Sequence, residues 1–178
     1  MSGKSTLLRA VGLNAVLAQA GAPVCAASMC CPLVEIHTSI QVSDSLPQGI
    51  SYFMAELRRL KAIVDAAERP PGSNTPTVLY LIDEMLRGTN SEERVVAARI
   101  VARRLLNGHA IGMITTHDLS ILEDAELTPH LQHHHFREVF ERSGEHETMR
   151  FDYQLHPGPA TSRNALRLLA LVGLVPSA

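Results

Sequence analysis

Tryptophan is absent from this chain of 178 residues, and aromatic side chains make up only 4% of it. A core built with so few rings has to come from Leu, Val, Ile and Ala. Charge of one sign is missing too: 16 Lys and Arg stand against 18 Asp and Glu, for a net charge of −2. Such a balance leaves no electrostatic footprint for nucleic acid on this segment, so any contact with DNA has to come from elsewhere. Cysteine is scarce: Cys25, Cys30 and Cys31 lie in an apolar region without CxxC spacing. Their pattern argues against a disulfide framework or a structural zinc site and for a reducing, cytoplasmic setting. No apolar run reaches the ~20 residues that a membrane span needs. The apolar-rich stretch after Arg9 is interrupted by Asn14, Gln19, Gly21 and Pro23, unlike a signal peptide. No membrane contact is expected. At 46% hydrophobic residues the chain is able to bury one good core, and a single domain is expected.

What is present centres on residues 77–90, TVLYLIDEMLRGTN. The run Val78 to Ile82 is apolar without interruption, as in a strand buried on both faces of a parallel sheet. It ends in two adjacent carboxylates, Asp83 and Glu84. A strand that simply reaches solvent turns polar too, but packing does not call for paired acids there. Phosphate chemistry does: one carboxylate holds Mg²⁺, and one orients or polarises an attacking water.

The chain opens with MSGKSTLLRA, in which Gly3-Lys4-Ser5 matches the end of the phosphate-loop pattern GxxxxGK[ST]. The pattern's first glycine would fall three residues before Met1, so the expectation is a start inside a longer polypeptide and weak ATP binding by the chain as it stands. A helix is expected from Leu7 to Gln19, opened by Ser5 and Thr6 and stopped at Gly21 and Pro23. Short strands are expected at Val24–Ala27 and Val34–Ile40, followed by a loop from Gln41 to Ser51. Phe53 to Ala67 shows a helical stripe, with Glu56, Arg58, Arg59 and Lys61 assigned to its polar, solvated face. After Asp83-Glu84, Asn90 or Ser91 is placed to cap a helix that Asn107-Gly108 closes. Ile111–Ile114 reads as a second buried strand running into Thr115-Thr116-His117-Asp118. Strand, polar end, helix, strand, polar end is the alternation of a parallel α/β sheet with its site along the strand C-termini. His117 is so placed that it can contact a γ-phosphate. Leu131–Glu141 and Met149–Leu155 read as a hairpin, and Asn164–Leu171 as a last helix. His133, His134 and His135 alternate across a strand and so do not converge on one metal ion.

These segments resemble a family. GKST, LPQGISYFMAEL, LYLIDEMLRGTNS, ITTHD and FDYQLHPGPATSRNALRLLALVGLVP, in this order over nearly the whole chain, are similar to the C-terminal ATPase domain of MutS-type DNA mismatch-repair proteins. The wider relatives are the ABC-type ATPase heads. The resemblance implies a P-loop NTPase fold of ABC type: a central, mostly parallel sheet flanked by helices, with a C-terminal β-hairpin and helix, over residues 1–178. It implies ATP and Mg²⁺ as ligands. Gly3, Lys4, Ser5 and Thr6 correspond to the end of the Walker A loop, Ser5 and Asp83 to the Mg²⁺ ligands, Glu84 to the water-activating residue and His117 to the switch histidine. Ser51 corresponds to a serine presented in trans to the partner's nucleotide, and Arg87 to Asn90 to the loop that links two composite sites in a homodimer. DNA is contacted in such proteins by upstream recognition, clamp and lever regions, none of which matches this chain. The sequence departs from the usual pattern at Tyr52, where threonine follows the serine, and at Asn90-Ser91, where serine-threonine follows RGT. LRGTNS looks closer to the MutS-related branch than to the mismatch-reading one. The function implied is ATP binding and hydrolysis that drives conformational change. A nucleotide-dependent dimerisation module with little turnover, or a small-molecule kinase, is the alternative.

Overall fold

The computed structural model describes residues 3–40, 52–70, 72, 75–86, 90–143, 146–160 and 174. The chain divides into two compact units, Lys4–Leu131 and a second made of Met1–Gly3 with Gln132–Ala178.

The larger unit is α/β. Its strands β1 (Val34–Ser39), β2 (Thr77–Asp83) and β3 (Ala110–Thr115) form one sheet in the order β1-β2-β3. Both pairings are parallel, from Val34↔Thr77 to Ser39↔Ile82 and from Val78↔Ala110 to Asp83↔Thr115. Helices α1 (Lys4–Gln19), α2 (Tyr52–Ala67) and α3 (Ser91–Asn107) surround it. Helix α2 connects β1 to β2 and α3 connects β2 to β3. Two crossovers in the same direction, with the right-handed sense that such connections take, are expected to put both helices on one face of the sheet. The core agrees: Ile82 packs with Leu60, Ile63 and Val64 of α2 and with Ala98, Ala102 and Leu105 of α3. Leu79 and Leu81 point the other way and pack with Leu8 and Ala15 of α1. Strand β2 is therefore covered on both faces, which is why its sequence is a continuous apolar run rather than an alternating one. Each of its fully buried side chains contributes roughly 1.5–3 kcal/mol of transfer free energy.

Four expectations need correction here. Residues 24–27 form no strand: Cys25 N–H donates to Asn14 Oδ1 of α1 at 2.6 Å, so this segment is tied to the helix instead of a sheet. Strand β3 is not buried; Ile111 is 49% exposed, because among the described residues only β2 pairs with it. Glu56, assigned to the solvated face of α2, is 3% exposed and lies in the same buried stripe as Leu60, Ile63 and Ala67. Arg58, Arg59 and Lys61 do keep exposed positions.

The smaller unit supplies the fourth correction. The stretch expected as one strand, Leu131–Glu141, is broken, because its two parts pair with different partners. Strand β4 (His134–His135) pairs antiparallel with β7 (His156–Pro157), and β5 (Glu138–Ser143) with β6 (His146–Phe151). The hairpin is thus present, with its second strand earlier than Met149–Leu155. It ends where Asp152 Oδ1 accepts from Gln154 N–H at 3.0 Å and Tyr153 takes a φ of 55°, a local turn that removes the backbone from the ladder. His134 is exposed, while His135 is half-buried with Nδ1 2.9 Å from the Gly158 carbonyl. The expected loop 41–51 with Ser51, the turn residues 87–89 and the expected helix 164–171 lie outside the described residues.

Candidate functional site at the strand C-termini

Helix α1 starts against the rules of helix stability. Its first residue is Lys4, and its first turn carries no acid, although the positive end of a helix favours negative charge. Helix α3 shows the ordinary solution: Asn90 caps it by accepting from Glu93 N–H at 2.8 Å, and Glu92 and Glu93 lie in its first turn. The N-terminus of α1 is thus left electropositive, as suits an anion.

Beside it lie the carboxyl ends of β2 and β3. Asp83, 6% exposed, accepts two hydroxyl hydrogen bonds: from Ser5 Oγ to Oδ2 at 2.7 Å and from Thr115 Oγ1 to Oδ1 at 2.6 Å. The second follows from register, since Asp83 and Thr115 are paired residues of adjacent strands. A carboxylate so far from water costs several kcal/mol unless it is hydrogen-bonded on both oxygens. Ser5 Oγ and the Asp83 carboxylate are also two hard oxygen atoms side by side, the donor type that Mg²⁺ takes.

Past Asp83 the chain turns sharply. Glu84 and Leu86 both adopt left-handed conformations, with φ of 53° and 60°. For residues with a Cβ this costs on the order of 1–3 kcal/mol each and persists only where the surroundings hold it. Two hydrogen bonds do so: Glu84 N–H donates to the Thr115 carbonyl at 3.1 Å, and Leu86 N–H to Glu56 Oε1 at 2.6 Å. The turn sinks Met85 and Leu86 into the core and leaves Glu84 at its rim.

There Glu84 Oε1 meets His117 Nε2 at 2.6 Å, and Lys4 Nζ approaches His117 Nδ1 at 3.0 Å. Lys4 Nζ also lies 3.4 Å from Nε2, so the ammonium group bears on the ring as a whole and not on the lone pair of one nitrogen. Lys4, His117 and Glu84 form one hydrogen-bonded chain from the start of α1 to the end of β2. A cleft of about 90 Å³ adjoins it, lined by Glu84, Arg94, Thr116, His117 and Asp118 among others. That is room for several waters. Asp118 is held below the usual carboxylate range, chiefly by the Ser120 hydroxyl and then by the Ser120 N–H, with Arg94 and Arg99 adding attraction.

Of the residues expected at a site, Lys4, Ser5, Asp83, Glu84 and His117 come together. Thr6 is exposed in the first turn of α1 and makes no recorded contact with this group. Gly3, with a φ of 98°, belongs to the other compact unit. Two residues escaped the reading of the sequence. Thr115 is marked only by its register opposite Asp83. Glu56 falls on a helix whose periodicity admits it to either face.

A parallel α/β unit with hydroxyls, carboxylates, a lysine and a histidine gathered over its strand C-termini has its polar cluster at the carboxyl edge of the sheet, where α/β proteins as a class bind their ligands. Comparison with known proteins narrows this further. The chain belongs to the MutS domain V family, whose model matches residues 1–177. It is 34% identical over 178 residues to DNA mismatch repair protein MutS 2 of Haloarcula marismortui, covering 98% of this chain and 17% of that protein. It is 35% identical over 175 residues to DNA mismatch repair protein MutS of Thermus aquaticus (98% and 20%). With MutS protein homolog 4 of Homo sapiens the identity is 31% over 181 residues (99% and 19%). The chain spans about a fifth of the length of these relatives. Among the described residues, no helix is long and apolar enough to cross a membrane.

Proposed function

We propose that residues 1–178 form a MutS-type ATPase domain with a P-loop fold of ABC type, which binds ATP and Mg²⁺ and hydrolyses ATP to drive conformational change in a MutS-like DNA mismatch-repair protein. One observation carries this reading: the Ser5–Asp83 pair and the Lys4–His117–Glu84 chain converge at the start of α1 and the ends of β2 and β3. In it, Ser5 and Asp83 hold the metal, which supplies charge neutralisation at the phosphates. Lys4 and the backbone N–H groups that open α1, with Gly3 and Thr6 at the same loop, bind phosphate oxygens. Glu84 accepts a hydrogen bond from a water in the adjoining cleft and orients it. His117, already bonded to Glu84, is within reach of the group that Lys4 would contact. Ser51 serves a partner's nucleotide in a homodimer, DNA is bound through other parts of a longer polypeptide, and the setting is cytoplasmic. The similarity to three proteins with MutS names supports the mismatch-repair part of this reading.

The test is Glu84→Gln in a polypeptide carrying this domain. Mg²⁺-dependent phosphate release from ATP is expected to fall by about 100-fold or more, with ATP binding by calorimetry kept. Unchanged turnover would remove Glu84 from its role. Loss of binding together with turnover would point to a damaged fold rather than to chemistry.

A further inference from the structure

Glu56 is the one carboxylate of α2 drawn into the core, at 3% exposure, and it occupies a position of the same stripe as Leu60 and Ile63. A buried carboxylate is costly, and an apolar residue would serve packing better there. One contact of this carboxylate bears on the site: Oε1 accepts the backbone N–H of Leu86 at 2.6 Å. That amide belongs to the turn in which Glu84 and Leu86 take positive φ. A hydrogen bond to a charged acceptor is stronger than one to a neutral group, and this one ties the far side of the turn to α2, while Glu84 N–H ties the near side to β3. Side-chain direction at Glu84 follows from that backbone, and its contact with His117 at 2.6 Å depends on it.

We infer that Glu56 is a positioning residue, which holds the turn at residues 84–86 so that the Glu84 carboxylate faces His117 and the cleft. The inference rests on the ATPase reading for its consequence in turnover, though not for the geometry.

Three variants separate this from simple packing. Glu56→Gln keeps an acceptor oxygen at nearly the same place. Glu56→Leu fills the same volume without one. Glu84→Gln reports on the proposed role of Glu84 itself. Turnover is expected to fall by about tenfold or more in kcat for Glu56→Leu, with KM for ATP within about twofold, and to stay within about threefold for Glu56→Gln. In parallel, amide exchange at Leu86 and the ring NMR signals of His117 are followed in the nucleotide-free protein. Glu56→Leu is expected to lose protection at Leu86 and to shift the His117 ring signals, and Glu56→Gln to preserve both. If Glu56→Leu folds and leaves the His117 signals and Leu86 protection as they were, the inference is overturned whatever the kinetics. If Glu84→Gln leaves turnover intact while Glu56→Leu moves His117, the water-orienting role of Glu84 has failed and the positioning role stands.

Discussion

At the scale of single residues, the site depends on how Asp83 is satisfied. Its two oxygens accept from Ser5 and Thr115, and only one of those hydroxyls belongs to a recognisable loop. Thr115→Val retains the β-branched shape that suits a strand and deletes one donor. Roughly 1 kcal/mol of stability is expected to go with it, measured by urea denaturation. Under the proposed function the Mg²⁺ concentration for half-maximal turnover is expected to rise roughly tenfold, as when a partner that orients a metal ligand is removed. No change in Mg²⁺ dependence would mean that Thr115 is not needed to orient Asp83. Asp83 and Glu84 were legible because two acids after five apolar residues serve no packing purpose. His117 was legible from its place at the end of the next strand. Thr115 was not, since threonine is an ordinary strand residue until the register puts it opposite Asp83. Glu56 was misread for a related reason: a single polar residue among Phe53, Leu57, Leu60 and Ile63 breaks the stripe without saying on which side it lies.

At the scale of elements, the strongest patterns translated directly. The run Val78–Ile82 became β2 because an uninterrupted apolar strand needs cover on both faces, and α1 on one side with α2 and α3 on the other provide it. Short or low-propensity segments did not translate. VCAA at 24–27 has a single β-branched residue, Val24, and no aromatic to hold a pleated edge, and its backbone went to Asn14 instead. The histidine-rich segment near residue 134 pairs with one strand and then another, which no local pattern announces. The capped start of α3 was legible from Asn90, Glu92 and Glu93. Asn90→Ala is expected to cost about 1 kcal/mol in thermal or chemical denaturation, because Glu93 N–H loses its acceptor. The other end of α3 is set by space rather than by chirality. Gly108 has an extended conformation with φ −88°, so its backbone needs no glycine. A Cβ there would lie 2.8 Å from the Ala67 carbonyl oxygen and 3.0 Å from its carbon. Backbone atoms at the end of α2 have little room to yield, and His109 N–H already donates to that same carbonyl at 2.8 Å. Gly108→Ala is therefore expected to destabilise by about 1–3 kcal/mol in denaturant titrations. A neutral result would show that the end of α2 gives way.

At the scale of the whole molecule, charge is near balance, and its effect lies in where the carboxylates sit. Among the described residues, five have a pKa lowered by their surroundings. Asp124 is held down first by the Arg103 guanidinium and then by the N–H groups of Glu126 and Leu127; Asp118 chiefly by Ser120; Glu35 by Arg69 and then His37; Glu68 by Arg104; Asp152 by Gln154 N–H and then His156. In each case the unfolded chain binds protons more readily than the folded one, so stability rises with pH. The contribution is complete above the unfolded values, about 3.9 for Asp and 4.3 for Glu. It is lost as pH falls through those values and then through the lower folded ones. Glu35–Arg69 and Glu68–Arg104 are solvent-exposed and salt-screened pairs, whereas the Asp124 side chain is only 1% exposed. Asp124 also joins α3, through Arg103 at 2.8 Å, to the turn that follows the site, through Leu127 N–H at 3.3 Å. The melting temperature is expected to stay nearly level from pH 7 to about pH 5 and to fall steeply below it. Asp124→Asn, which cannot ionise, is expected to lower the plateau and to flatten the acid fall, and raising the salt concentration should weaken the wild-type slope only in part. An acid limb of equal slope in wild type and Asp124→Asn would place the proton-linked stability in the exposed pairs, and these would then have to be removed one by one to find it.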